Sequence, residues 1–197
     1  MKRVLKIVGL LLLVLVVSLL AIGIGTFGGM AGFTDGKEIG SATTIKDGYV
    51  AAYSIDSGDG VILIDAGDDP SGKALLASLA KKNRGPDDVK AIFITHGHPG
   101  HVAGVAKFPK AAVYALDREV SIAEGREAAK GPIPALFGAS KHLVHVTNAL
   151  TNGSTLAVGN KTIQIFAVPG HTAGSAAYLI DGDLFVGDPR ARTRTAT

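Results

Sequence analysis

Cysteine is absent from all 197 residues. The chain therefore has no disulfide, no thiolate metal ligand, no cysteine nucleophile and no cysteine-linked lipid anchor. Excess positive charge is scarce away from the ends. Lys2, Arg3 and Lys6 cluster at the start, and Arg190, Arg192 and Arg194 at the finish, within a formal net charge of +3. Without those last three arginines, 17 basic residues balance 17 acidic ones. No basic patch with interleaved aromatics lies between the termini, which argues against nucleic acid as a partner. Repeats of solenoid period and long low-complexity tracts are also missing. A hydrophobic content of 47% is enough for one domain with a sizeable core.

What is present begins with residues 1–33, a basic start followed by an apolar run without charge from Ile7 to Phe33. That run exceeds the roughly 20 residues that span a hydrocarbon core. No clear A-x-A cleavage site follows, so an N-terminal transmembrane helix is expected in preference to a cleaved signal peptide. The basic residues should stay cytoplasmic. The domain would then be membrane-anchored on the extracytoplasmic side, with secretion after cleavage as the alternative.

Residues 34–48 read as a Gly-rich polar linker and a first strand, and residues 49–188 as the main domain. Within it, "YVAAYSIDSGDGVILIDAG" predicts a hairpin turning at Ser57-Gly58-Asp59-Gly60, with Val61 to Ile64 as a buried strand ending at Asp65. A helix should follow, capped by Asp69, with Pro70 in its first turn and Leu75, Leu76 and Leu79 on its inner face. Gly85 stops it. "VKAIFIT" is a strand leading into histidines, "HVAGVAKF" a short helix and "AAVYAL" another strand. Residues 117–160 read as helix and loop. "KTIQIFAVPGH" alternates as a strand, and "SAAYLIDGDLFVGD" predicts two strands joined by a type I′ turn at Asp181-Gly182. Residues 189–197 are a basic irregular tail. Hairpins alternating with helices indicate a mixed α/β layered domain.

Chemistry-bearing residues recur at strand ends: Asp65, then His96, His98 and His101, then His171, then Asp188. Loops at one edge of a rigid sheet converge in space and commonly carry function. In an extended segment side chains two apart share a side, so His96 and His98 can reach one ion. With His171 they would form a three-imidazole site with an open fourth tetrahedral position, as in catalytic zinc. Water there would have a pKa near 7. His142 and His145 lack a partner close in sequence and read as surface or hydrogen-bonded residues.

These residues resemble the metallo-β-lactamase-fold hydrolases, whose H-x-H-x-D-H follows a strand and precedes a later histidine and an aspartate. "THGHPGH" matches all but one position. "VPGHTAGS" and "LFVGD" resemble the two later motifs, and "VILIDAG" the early strand, with Asp65 as its structural aspartate. The resemblance runs from about Tyr49 to Asp188. It implies an αββα sandwich in which His96, His98 and His171 bind a first zinc. His101 would bind a second, and Asp188 would bridge the two; with glycine in place of the family's water-orienting aspartate at position 100, Asp188 alone would be left to orient a hydroxide.

Two departures stand out. Gly100 occupies the aspartate's position and offers neither oxygen nor charge, so one zinc is expected with the second site weakened. The chain also stops nine residues after Asp188, where the resemblance implies further strands, helices and another metal-binding histidine. Much of the C-terminal half of the sandwich is thus expected to be missing. The functional expectation is a membrane-anchored zinc hydrolase, in which metal-activated hydroxide attacks an ester, thioester, lactone or lactam carbonyl of a small-molecule substrate. The alternative is a catalytically impaired metal-binding module. Ser175 lies four residues after His171 but lacks a G-x-S-x-G elbow, so a serine hydrolase is a weak competitor. The glycines of "GIGTFGG" lack the strand and soluble helix that a phosphate-binding loop needs.

Overall fold

The computed structural model describes residues 2–27, 33–128 and 144–188, and resolves two compact units, Met1–Phe33 and Thr34–Thr197. The first unit contains helix α1, Lys2–Phe27. Its side chains are described from Lys6 to Ile22 and are exposed, Leu13 and Ile22 among them. Among the described residues no helix is long and apolar enough to cross a membrane, so the expected transmembrane anchor is not supported.

The second unit opens with strands β1 (Glu38–Ile39) and β2 (Ala42–Asp47), followed by β3 (Val50–Asp56) and β4 (Val61–Ile64). The expected linker is thus largely sheet: β2 pairs antiparallel with β3 along its length, and Ala42 and Ile45 are fully buried. The predicted β3–β4 hairpin forms, with Gly58 at φ 84° in its turn. Helix α2 covers Lys73–Lys81, later than expected. Asp69 does not cap it, because that carboxylate instead accepts from the amide and hydroxyl of Ser71 in a local turn, and Gly72 takes the cap position. Leu75 and Leu79 are buried as predicted, while Leu76 is half-buried.

Strand β5 (Val89–Phe93) lies parallel to β4, and after the short helix α3 (Pro99–Val102) strand β6 (Ala112–Leu116) lies parallel to β5. A 3₁₀ turn at Asp117–Glu119 leads into α4 (Val120–Ala123). Strands β7 (Asn148–Leu150) and β8 (Thr155–Val158) follow, where helix and loop were expected. The Gly131–Pro134 punctuation and His142 lie outside the described residues, as does the 189–197 tail. Strands β9 (Lys161–Ala167), β10 (Ala176–Ile180) and β11 (Asp183–Val186) complete the unit. Asp181 at φ 53° and Gly182 at φ 89° make the turn between the last two, as the type I′ reading requires.

The strands form a seven-stranded sheet, ordered β1 to β7, and a four-stranded sheet, ordered β11-β10-β9-β8. Val61 to Ile64 explain how the layers stack. Val61 and Leu63 face a core shared with Leu75 and Leu79 of α2 and Val102 of α3. Ile62 and Ile64 face a second core shared with Ile163, Ile165, Tyr178 and Phe185 of the smaller sheet. A strand buried on both faces reads as a continuous apolar run, which is why no alternation is visible in "VILI". Helices therefore cover one face of the large sheet and the small sheet covers the other.

Candidate metal centre

Parallel pairing of β4 and β5 places their carboxyl ends on the same edge, so Asp65 and the histidine loop emerge side by side. The small sheet docks against that edge. Ala176, at the start of β10, donates its amide to the Thr95 carbonyl at 2.8 Å, and the Tyr178 hydroxyl donates to the Ile94 carbonyl at 2.6 Å. These bonds set the loop after β9 and the end of β11 over the histidines. Gly187 makes the approach feasible: a Cβ there would lie 2.4 Å from Thr95 Oγ1 and 2.9 Å from His96 Nδ1.

His96, His98, His101, His171 and Asp188 converge. One ligand atom each from His96, His98 and His171 lie within 4.8 Å of one another, and so do those of His96, His101 and Asp188. The ring of His96 stands 4.8, 4.0 and 4.5 Å from those of His98, His101 and His171. His98 Nδ1 lies 2.8 Å from His171 Nε2. Asp188 divides its oxygens, Oδ1 being 3.6 Å from His101 Nε2 and Oδ2 3.8 Å from His171 Nε2. This half-exposed carboxylate thus faces both groups.

Behind the cluster, Asp65 adopts φ 59°, unusual for a residue with a side chain. Its carboxylate accepts from the Thr95 amide, the Thr95 hydroxyl and His101 Nδ1, each at 2.7 Å. Thr95 spends its hydroxyl proton on Asp65, so its oxygen accepts from His96 Nδ1 at 3.2 Å. Both relays hold a ring proton on Nδ1 and leave Nε2 as the ligand atom of His96 and His101, the second-sphere arrangement of metal-binding histidines. The Nε2 atoms of His96, His98 and His101 are buried without any hydrogen-bond partner. Orphaned buried nitrogens are costly in a folded protein, and an ion held by His96, His98 and His171 or by His96, His101 and Asp188 would relieve that of His96. Neutral imidazoles and one carboxylate are also the donor set that suits zinc. The residues present fit the metal.

Electrostatics support the neutral state at two positions. Burial, with help from the neighbouring imidazoles, holds His96 far below the ordinary histidine range and His98 down to about 4. His101 differs. Burial opposes its charge, but the Asp65 and Asp188 carboxylates outweigh burial and raise it to about 10. The His101 contact and the nearby imidazoles hold Asp188 low against burial.

Gly100 is buried in α3, and a Cβ built on it would lie 2.9 Å from Val50 Cγ1, 3.7 Å from the Tyr49 hydroxyl and 4.0 Å from Asp68 Oδ1. A side chain at position 100 would therefore require Val50 to shift. Ser175, the alternative nucleophile, bonds the amide and hydroxyl of Thr172 at 3.0 and 2.8 Å, an anchoring role. His145 is exposed and 3.2 Å from Glu124, a surface contact as expected. Its acidic partner lies 21 residues away and is invisible to local inspection. The sequence also gave no sign of Thr95, Gly187 or the fully buried Glu119, which bonds both histidine loops. A cavity of about 300 Å³ opens beside His96, His171 and Asp188, with Pro169 and Val186 in its wall.

A two-sheet α/β sandwich with histidines and a carboxylate gathered at its strand ends defines a metallohydrolase-type scaffold. A family model of the metallo-beta-lactamase superfamily matches residues 45–195, and the chain belongs to that superfamily. It is 30% identical over 155 residues to a hydroxyacylglutathione hydrolase of Shewanella oneidensis, covering 76% of this chain and 51% of the relative. A hydroxyacylglutathione hydrolase of Salmonella paratyphi A is likewise 30% identical over 156 residues, covering 77% and 50%. The chain thus spans about half the length of these curated relatives. Among solved structures it is similar to BJP-1, a subclass B3 metallo-beta-lactamase of Bradyrhizobium japonicum. The TM-score is 0.65 at 25% identity, with 80% of this chain and 63% of that one covered. A metallo-beta-lactamase from Cronobacter sakazakii shares the fold at TM-score 0.66 and 22% identity, with 77% and 62% covered.

Proposed function

We propose that this chain carries the metal-binding part of a zinc-dependent hydrolase acting on a small-molecule ester, thioester, lactone or lactam. The observation that carries the reading is the convergence, at strand ends, of two ligand groups that share the buried His96, whose Nε2 has no hydrogen-bond partner. His96, His98 and His171 would hold the first ion, and His101 and Asp188 would contribute to a second, with Asp188 facing both. Zinc held there supplies Lewis-acid polarisation of a carbonyl and a lowered pKa for water. Asp188, ionised at neutral pH, accepts a hydrogen bond from the incoming water and orients it. Asp65 and Thr95 keep the ring protons of His101 and His96 away from the centre. The carbonyl classes are supported by relatives named for hydrolysis of hydroxyacylglutathione and by similarity to a β-lactamase.

A second reading, a metal-binding module without turnover, is favoured by one observation. Glycine stands at position 100, and a Cβ there would crowd Val50 Cγ1 at 2.9 Å. Extracytoplasmic placement is part of the first reading and rests on the basic start before the apolar α1. Cell fractionation with protease protection tests it.

The deciding experiment measures zinc per chain and hydrolysis of a thioester, lactone and lactam panel with and without chelator. About one zinc per chain is expected, with hydrolysis lost on chelation and on His96→Ala. Zinc without hydrolysis would select the second reading. Hydrolysis indifferent to His96→Ala would overturn the first.

A further inference from the structure

Glu119 is fully buried and lies outside the set of candidate ligands. The 3₁₀ turn after β6 aims its carboxylate between two loops that are far apart in sequence. One oxygen accepts from the Gly97 amide at 2.7 Å. The other accepts from the Thr172 hydroxyl at 2.7 Å and from the Gly174 amide at 3.0 Å. Gly97 sits between His96 and His98, and Thr172 directly follows His171.

The backbone agrees with the hydrogen bonds. A Cβ on Gly97 would lie 2.4 Å from the Ala123 amide nitrogen, and a Cβ on Gly174 would lie 2.4 Å from that of Glu119. Both loops therefore press against the same short segment, Glu119 to Ala123. A carboxylate taken out of water is costly, and three donors aimed at it are what make the arrangement tolerable. Such a group is also an inflexible spacer: neither loop moves without leaving an oxygen or an amide unpaired.

We propose that Glu119 is a positioning residue that sets the separation of the His96–His98 loop from the His171 loop, and so sets metal affinity and geometry. It acts through Gly97, Thr172 and Gly174 and touches neither metal nor substrate. This rests on the metal-site reading above. The consequence is distinctive for Glu119→Gln, which keeps size and shape. A glutamine has one oxygen, so in either orientation one backbone N–H faces an amide N–H. With the oxygen toward Gly97, the Gly174 amide loses its acceptor; with the amide reversed, Gly97 does.

The test is titration of metal-free full-length protein with Co(II), following the visible d–d absorption that reports coordination geometry. Far-UV circular dichroism of the metal-free forms is recorded alongside. Glu119→Gln is expected to fold, to bind Co(II) on the order of 10- to 100-fold more weakly, and to show a shifted spectrum. Should that variant fail to fold, Thr172→Val decides instead, because it removes one donor and leaves the carboxylate intact. Its expected result is weaker binding with a shifted spectrum, and Thr172→Ser should restore both. Wild-type affinity and an unshifted spectrum in the deciding variant, with or without lost thermal stability, would overturn the proposal. Failure of the unmodified protein to bind Co(II) would instead remove the metal-site reading on which the proposal stands.

Discussion

Position 100 shows how a single missing side chain can be built into its surroundings. An added Cβ would sit 2.9 Å from Val50 Cγ1, closer than side-chain carbons tolerate, and Val50 is buried in a strand with little freedom to retreat. Gly100→Asp alone is expected to destabilise the protein by about 1–3 kcal/mol, the usual cost of overpacking. In a Val50→Ala background the same change should cost less and raise zinc content. Urea unfolding of the four proteins in a double-mutant cycle measures the coupling, and additive costs would contradict the steric account. The histidine pattern itself was legible in the sequence because its spacing is local. Glu119 and Thr95 were not: their partners are backbone amides and ring nitrogens contributed by other loops, and such bonds leave no periodic trace.

Among the elements, β4 is the most legible, a short apolar run buried on both faces that ends at Asp65. Strands β7 and β8 are brief and largely exposed, so neither alternation nor a continuous apolar run marks them in the sequence. The start of α2 is displaced from the Asp69 cap because Asp69 has a nearer partner in Ser71. The end of β11 is the most demanding element for the site. Gly187→Ala would push a methyl group into Thr95 Oγ1 and His96 Nδ1, displacing either Asp188 or the ring that serves both ligand groups. Zinc affinity should fall on the order of 10-fold or more, with the strand pairing retained. Competition with a chromophoric chelator measures this, and wild-type affinity in the variant would contradict the argument.

For the molecule as a whole, the histidine cluster imposes a pH profile on the metal-free fold. His98 titrates near 4 when folded against an ordinary 6.5, and His96 lower still. Between those values the unfolded chain binds more protons, so stability rises with pH up to about 6.5. His101 has the opposite sign: its folded value near 10 means that its contribution is complete below 6.5 and is lost as pH rises through 10. Urea midpoints of metal-free protein should therefore peak near pH 6.5, and a monotonic profile would show that these rings do not govern stability. His96, His98 and His101 belong to the large sheet's edge, whereas His171 and Asp188 belong to the small sheet's. Ownership of the centre is divided, and neither layer holds a complete claim to an ion. Metal capture therefore reads out the seam between the layers, so a change that merely slackens the seam is registered as an empty centre while every strand remains in place.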